Sequence, residues 1–150
     1  MINRFTETYE TVKEPMSFVE EEKYAIKNMY AYPISSVKPI GEVDYIDLGP
    51  YGIKYDREIM LFDPACEKML TNMDHFPINS LRQQLKGSKV IVSSVRPELL
   101  TKQGLPPILV IDLEIPPEKV GPQIKTKWGT WDYVAYEYPP EICRWFSAAV

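Results

Sequence analysis

The chain is short of the residues from which most metal and nucleophile sites are built. It has one histidine, His75, and two cysteines, Cys66 and Cys143, far apart in the 150 residues. There is no CxxC pair and no cysteine–histidine cluster, which argues against a structural zinc site. The cysteines read as two reduced thiols, one in a hairpin turn and one on a helix. There is also no Ser-His-Asp set, no Gly-rich phosphate loop and no His/carboxylate cluster. No apolar run approaches the ~20 residues of a membrane span. Basic residues are not in excess: 17 Lys and Arg face 21 Asp and Glu, giving a net charge of −4 and a pI near 5.1. That balance argues against a general nucleic-acid binder and leaves room for a local basic pocket for one small anion. The N-terminus, MINRFTETYETVKEPM, lacks the apolar core of a signal peptide. The chain therefore reads as cytoplasmic, with a mitochondrial import signal left open.

What is present fits one globular domain. A chain of this length buries roughly 68–70% of its unfolded surface, and 45% hydrophobic with 25% charged residues is ordinary. Residues 1–26 form a polar extension. In it, Ser17 followed by Glu20 is a possible capping box for a short helix over 18–24, and a solvated tail is the other reading. From residue 27 the pattern is β-rich. Expected strands are Asn28–Ile34, Glu42–Leu48, Glu58–Asp63, Lys68–Thr71, Lys89–Val95, Ile108–Leu113 and Gln123–Trp128, each bounded by turn residues. Fourteen prolines suit edges and turns. Ile78–Leu85 fits helix and strand about equally. KWGTWDY looks like a turn between strands. Ile59, Leu61, Leu109 and Ile111 are candidate core residues, and Met60, Met69 and Met73 are read as core filling. Such spacing suggests a small barrel or sandwich.

The tail is helical. In EICRWFSAAV, Ile142, Trp145, Phe146, Ala149 and Val150 make an i, i+3, i+4, i+7, i+8 stripe, and Pro140 suits a first helical turn. The stripe is expected to be only partly covered by the strands, leaving an apolar face for a following domain or a partner chain.

Three segments occur in a telling order: YPISSVK from Tyr32, GIKYDREIMLFDP from Gly52, and KMLTNMDHFPINSL from Lys68. Together they resemble the N-terminal β-barrel domain of the MOSC proteins. That family includes the C-terminal part of eukaryotic molybdenum cofactor sulfurases and the mitochondrial amidoxime-reducing components. The resemblance covers about residues 27–150. It implies a mainly β fold, a small, mostly antiparallel barrel of six or seven strands with a C-terminal helix, and a strand at 78–85. It also implies the molybdenum cofactor (molybdopterin). In such relatives the arginine of the Asp-Arg pair, here Asp56-Arg57, helps hold the cofactor's phosphate. A guanidinium fork suits that task.

The same resemblance assigns phosphate contacts to Ser36 and Lys38, and places Ser35 and Thr71 in the binding segments. Two basic positions are changed. Ser35 stands where relatives carry lysine, and Met73 stands where they carry the arginine of Thr-x-Arg, with His75 nearby as a second-choice donor. Two missing charge-assisted contacts cost roughly 3–6 kcal/mol, or about 10²–10⁴ in affinity. Neither Cys66 nor Cys143 matches the relatives' metal-binding or sulfur-carrying cysteine, which lies in a following MOSC domain. The chain is thus expected to lack that catalytic cysteine domain and to depend on it as partner. Two functions follow. One is the N-terminal domain of a molybdenum-cofactor enzyme or sulfurtransferase, supplying phosphate contacts and pocket walls. The other is a non-enzymatic interaction barrel that has lost cofactor binding. A pocket shared by Arg57 and Lys38 favours the first, and a closed Arg57–carboxylate pair favours the second.

Overall fold

A computed structural model describes residues 28–41, 47–49, 52–65, 67–128 and 131–150. The expected 18–24 helix, most of the 42–48 strand and Cys66 lie outside these. There is more strand than helix, in small antiparallel sheets with a C-terminal helix. Leu48–Gly49 (β1) pairs with Gly52–Ile53 (β2), and Phe62–Asp63 (β3) pairs with Lys68–Met69 (β4). Leu81–Lys86 (β5), Lys89–Ser94 (β6) and Ile108–Asp112 (β7) make a three-stranded meander. Gln123–Trp128 (β8) and Trp131–Tyr136 (β9) form the last hairpin. The strands divide among these four sheets, and no closed barrel is found among the described residues.

The meander follows from its period of two. Leu81, Gln83 and Leu85 face inward from β5, opposite Ser94, Val92 and Val90 of β6, while Leu109 and Ile111 of β7 continue the same face. Arg82, Gln84 and Lys86 point outward. Gly87, at φ 62, opens the two-residue turn between β5 and β6, a position that glycine fills without steric cost.

Each α-helix opens on a Pro-Glu pair: Pro97–Thr101 (α1), Pro117–Val120 (α2) and Pro140–Ala149 (α3). Proline at the first helical position lacks only an N–H that has no helical partner, and glutamate beside it complements the positive helix start. The segment with mixed helix and strand character is both in turn: a 3-10 helix over Phe76–Ser80, then β5.

Helix α3 packs on α1 and closes the core. Trp145 and Phe146 are buried and meet edge to face, centroids 5.3 Å apart. The Trp145 indole donates to the Pro106 carbonyl at 2.7 Å, and the Ser80 hydroxyl to the Ala149 carbonyl at 3.2 Å. Ile142 and Val150 pack against the same cluster. Of the stripe expected to be only partly covered, Trp145, Phe146 and Ala149 are buried and Ile142 and Val150 stay partly exposed, burial of each large side chain being worth ~1.5–3 kcal/mol.

Ile59, Leu61 and Ile111 are buried, with Leu109 packed against them, as the patterning implied. Three other readings change. Of the expected strand Glu58–Asp63 only Phe62–Asp63 is a strand, Ile59 being an isolated bridge residue. Asn28–Ile34 is not a regular strand: Ile34 makes one parallel bridge to Ile59, since Pro33 has no N–H to offer a ladder. Met73 is 91% exposed. β4 stops at Met69, and Met73 sits on the turn that follows.

Candidate functional site

The candidate site rests on the parallel contact between two irregular segments. The Arg57 amide donates to the Tyr32 carbonyl at 2.8 Å, Ile59 to Pro33 at 3.1 Å, and the Ser35 amide to the Ile59 carbonyl at 2.8 Å. Tyr55 at φ 63 and Arg57 at φ 54 are left-handed. This conformation costs an L residue roughly 1–2 kcal/mol, so these contacts hold a strained path.

On that path Asp56 faces inward and Arg57 outward. Asp56 Oδ1 accepts the Tyr32 N–H at 3.0 Å. Its Oδ2 accepts from Arg57 Nη1 at 2.5 Å. The Asp56 side chain is 14% exposed and that of Arg57 58%. The guanidinium also lies over the Tyr32 ring, 5.6 Å from its centroid, in cation–π range. The arginine singled out in the sequence is thus paired with the carboxylate beside it.

Ser35, Ser36 and Lys38 share the next turn, with Ser36 left-handed at φ 66. Ser35 is buried, and Lys38 is exposed. The turn is held by Gln83, a buried residue whose role the sequence reading missed. Gln83 Oε1 accepts the Ile34 N–H at 2.9 Å. Its Nε2 lies 3.3, 3.5 and 2.8 Å from the carbonyls of Ile34, Val37 and Lys38. A buried amide with both ends satisfied fixes the backbone around it. The available signal was a polar residue on the inward register of LRQQLK, between Leu81 and Leu85. Among the described residues, Ser35, Ser36 and Lys38 make no side-chain hydrogen bond to Arg57.

Thr71 is not brought to this group by any contact. Its hydroxyl donates to Asp74 Oδ2 at 2.6 Å and accepts the Asp74 N–H at 3.2 Å, while its carbonyl accepts the His75 N–H at 2.8 Å. These bonds close the turn that carries Met73, and His75 precedes the 3-10 helix.

A further tie steadies the Asp56-Arg57 path. The Tyr55 hydroxyl donates to Glu114 Oε1 at 2.9 Å, and Lys54 Nζ lies 3.8 Å from the same oxygen. Burial pushes the Tyr55 phenol up, and its hydrogen bond with Lys54 works against that shift.

Chemically, the arrangement offers one guanidinium partnered by a fixed carboxylate and one exposed ammonium on a separate turn. Among the described residues no group of three His, Cys, Asp or Glu side chains is placed to hold a metal ion. No described helix is long and apolar enough to cross a membrane. Comparison with family models, curated proteins and solved structures finds no match for this chain.

Proposed function

We propose that the chain is a non-enzymatic interaction or scaffold domain of the MOSC N-terminal type that no longer holds a pterin phosphate. The observation that carries this reading is the closed Arg57–Asp56 pair, because a guanidinium engaged by its own neighbour is a poor anchor for a second anion. Two further features agree with it. Ser35 is buried where a cation was needed, and the Thr71 hydroxyl is engaged by Asp74. In this reading the sheets around one core correspond to the barrel of the resemblance. A cysteine-bearing MOSC domain, on the same chain or another, is the partner, reached through the C-terminal helix α3. The alternative of a cofactor-binding domain needs Arg57, Ser36, Lys38, Ser35 and Thr71 to face one molybdopterin phosphate. The test is elemental analysis of the purified chain with an assay for oxidoreductase and sulfurtransferase turnover. We expect no bound molybdenum and no turnover, and near-stoichiometric molybdenum overturns the reading.

A further inference from the structure

We propose that the free edge of β7 pairs antiparallel with β7 of a second copy of this chain, centred on Leu109, so that two meanders join into one continuous sheet. The meander runs β5-β6-β7, which gives β7 one partner and one free side. Its ladder fixes which groups face that side. The Leu113 N–H donates to the Ser88 carbonyl at 2.9 Å, so the N–H and C=O of Leu109 and Ile111 point toward β6, and those of Ile108, Val110 and Asp112 point away from it. Among the described residues no hydrogen bond reaches the backbone of Ile108 or Val110 on the free side.

The two edges of the meander are built differently. From β5, Arg82 and Lys86 point outward, and charged side chains blunt an edge against another chain. From β7, Ile108 and Val110 point outward, 51% and 53% exposed, and Ile91 of β6 lies directly opposite Val110 on the same face. The inner face is unfinished at this edge as well: Leu109 stays partly exposed, while Val92 opposite it and Ile111 beside it are buried. The occupant that fits is β7 itself. With a two-fold axis at Leu109, Ile108 of each copy faces Val110 of the other, and each such pair exchanges both backbone hydrogen bonds. β-Branched side chains then stand opposite one another on the outer face, and the two Leu109 side chains meet on the inner face. Centring on Val110 instead would set Ile108 against the charged Asp112. Pro106 and Pro107 have no N–H and end the pairing on the other side.

The test is sedimentation equilibrium of the full chain up to about 1 mM, a range that reaches weak complexes, together with backbone amide exchange by NMR. It compares wild type, Val110→Lys, Ile108→Glu and an equal mixture of the two variants. Both side chains are exposed, so the core is left alone, and unchanged β5 and β6 amides verify folding. We expect wild type to dimerise, with the Ile108 and Val110 amides becoming protected as chain concentration rises. Each variant alone should dimerise about tenfold more weakly. The mixture should regain the wild-type association, because the introduced lysine then faces the introduced glutamate while Ile108 still faces Val110. A monomer whose Ile108 and Val110 amides exchange freely at every concentration overturns the proposal. A monomer with both amides protected at every concentration also overturns it, and assigns the edge to another segment of the same chain, such as residues 1–27. A dimer that neither variant weakens overturns it too, since association then uses another surface, and weakening without recovery in the mixture overturns the Leu109-centred pairing. If a variant does not fold, the wild-type amides decide alone.

Discussion

Between Leu81 and Asp112 three strands pair in register over five or six residues at a time, whereas between Tyr30 and Met69 no described strand exceeds two residues. The first region is held by a repeating ladder with an apolar face. The second is held by individual contacts: one parallel bridge, a buried glutamine and a carboxylate on a backbone amide. Among the described residues, the non-glycine left-handed ones, Ser36, Tyr55, Arg57 and Glu67, all fall in the second region and none in the meander. The difference is one of redundancy. Each ladder contact has neighbours of the same kind, while each contact of the irregular region is alone in doing its task. Candidate functional side chains sit on the irregular part, positioned by a regular scaffold, which is the usual division between loops and framework.

The sharpest way to break the core on which the regular region packs is to remove the largest of its fully buried side chains, Trp145 of α3. Trp145→Ala deletes an indole in contact with Phe146 and leaves the Pro106 carbonyl without its donor. It should cost about 3–5 kcal/mol in a denaturant titration. A loss under 1 kcal/mol would mean that α3 is not part of the core.

Gln83→Leu tests the irregular region from inside the regular one. It leaves the Ile34 N–H and the carbonyls gathered by Nε2 without partners. A loss of about 2–3 kcal/mol is expected, with faster hydrogen exchange at Ile34 and Ser35. The neighbouring Gln84→Leu, on the exposed face, should stay within about 0.5 kcal/mol. Equal costs for the two would show that the clamp is not what holds the turn.

The two regions were not equally legible in the sequence. The meander announces itself through alternation: Lys89–Val95 and Ile108–Leu113 each end within a residue of β6 and β7, and Gln123–Trp128 matches β8. The short helices α1 and α2 were missed because four or five residues carry no helical period. The recurring Pro-Glu at 97, 117 and 140 was the signal available. Asn28–Ile34 read as a strand from its apolar content, yet its pairing depends on residues distant in sequence and on Pro33. Arg57 stands out through the Asp56-Arg57 pair of the resemblance, while the geometry that pairs it with Asp56, whose Oδ1 accepts the Tyr32 N–H, is encoded by no local pattern. Met73 shows the same limit, since a methionine after a strand is core only if the strand continues.

Tyr138 adjoins the core cluster to which both regions contribute. It packs against the core, and among the described residues its hydroxyl has no hydrogen-bond partner. Burial, and then the Glu58 charge, push its phenol up to about 12. The folded value exceeds the ordinary value near 10, so the protonated phenol is favoured by folding. Its contribution is fully present below pH 10 and is lost as pH rises toward 12, by roughly 1–2 kcal/mol. Phenolate absorbance should show a tyrosine titrating late, and Tyr138→Phe should remove that step. The same variant deletes an unpartnered hydroxyl, so at neutral pH it should be neutral or about 1 kcal/mol more stable. A late step that persists in Tyr138→Phe would assign it to another tyrosine.

The smallest expected effect concerns the tie between β2 and the end of β7. Glu114→Gln keeps an oxygen for the Tyr55 hydroxyl and removes the charge facing Lys54. Because the pair is exposed, the global cost should be the smallest of these effects and should shrink further in high salt. Glu114→Ala removes both interactions and tests whether this tie steadies the left-handed Tyr55 and, through it, the Asp56-Arg57 path. If the irregular region depends on single contacts, Glu114→Ala should shift the amide resonances of Tyr55, Asp56 and Arg57 while those of β5 and β6 stay in place. Shifts spread evenly over both regions would show that they are coupled more tightly than their different construction implies. No shift at Arg57 would show that the parallel contact with Tyr32 holds the path without help from Glu114.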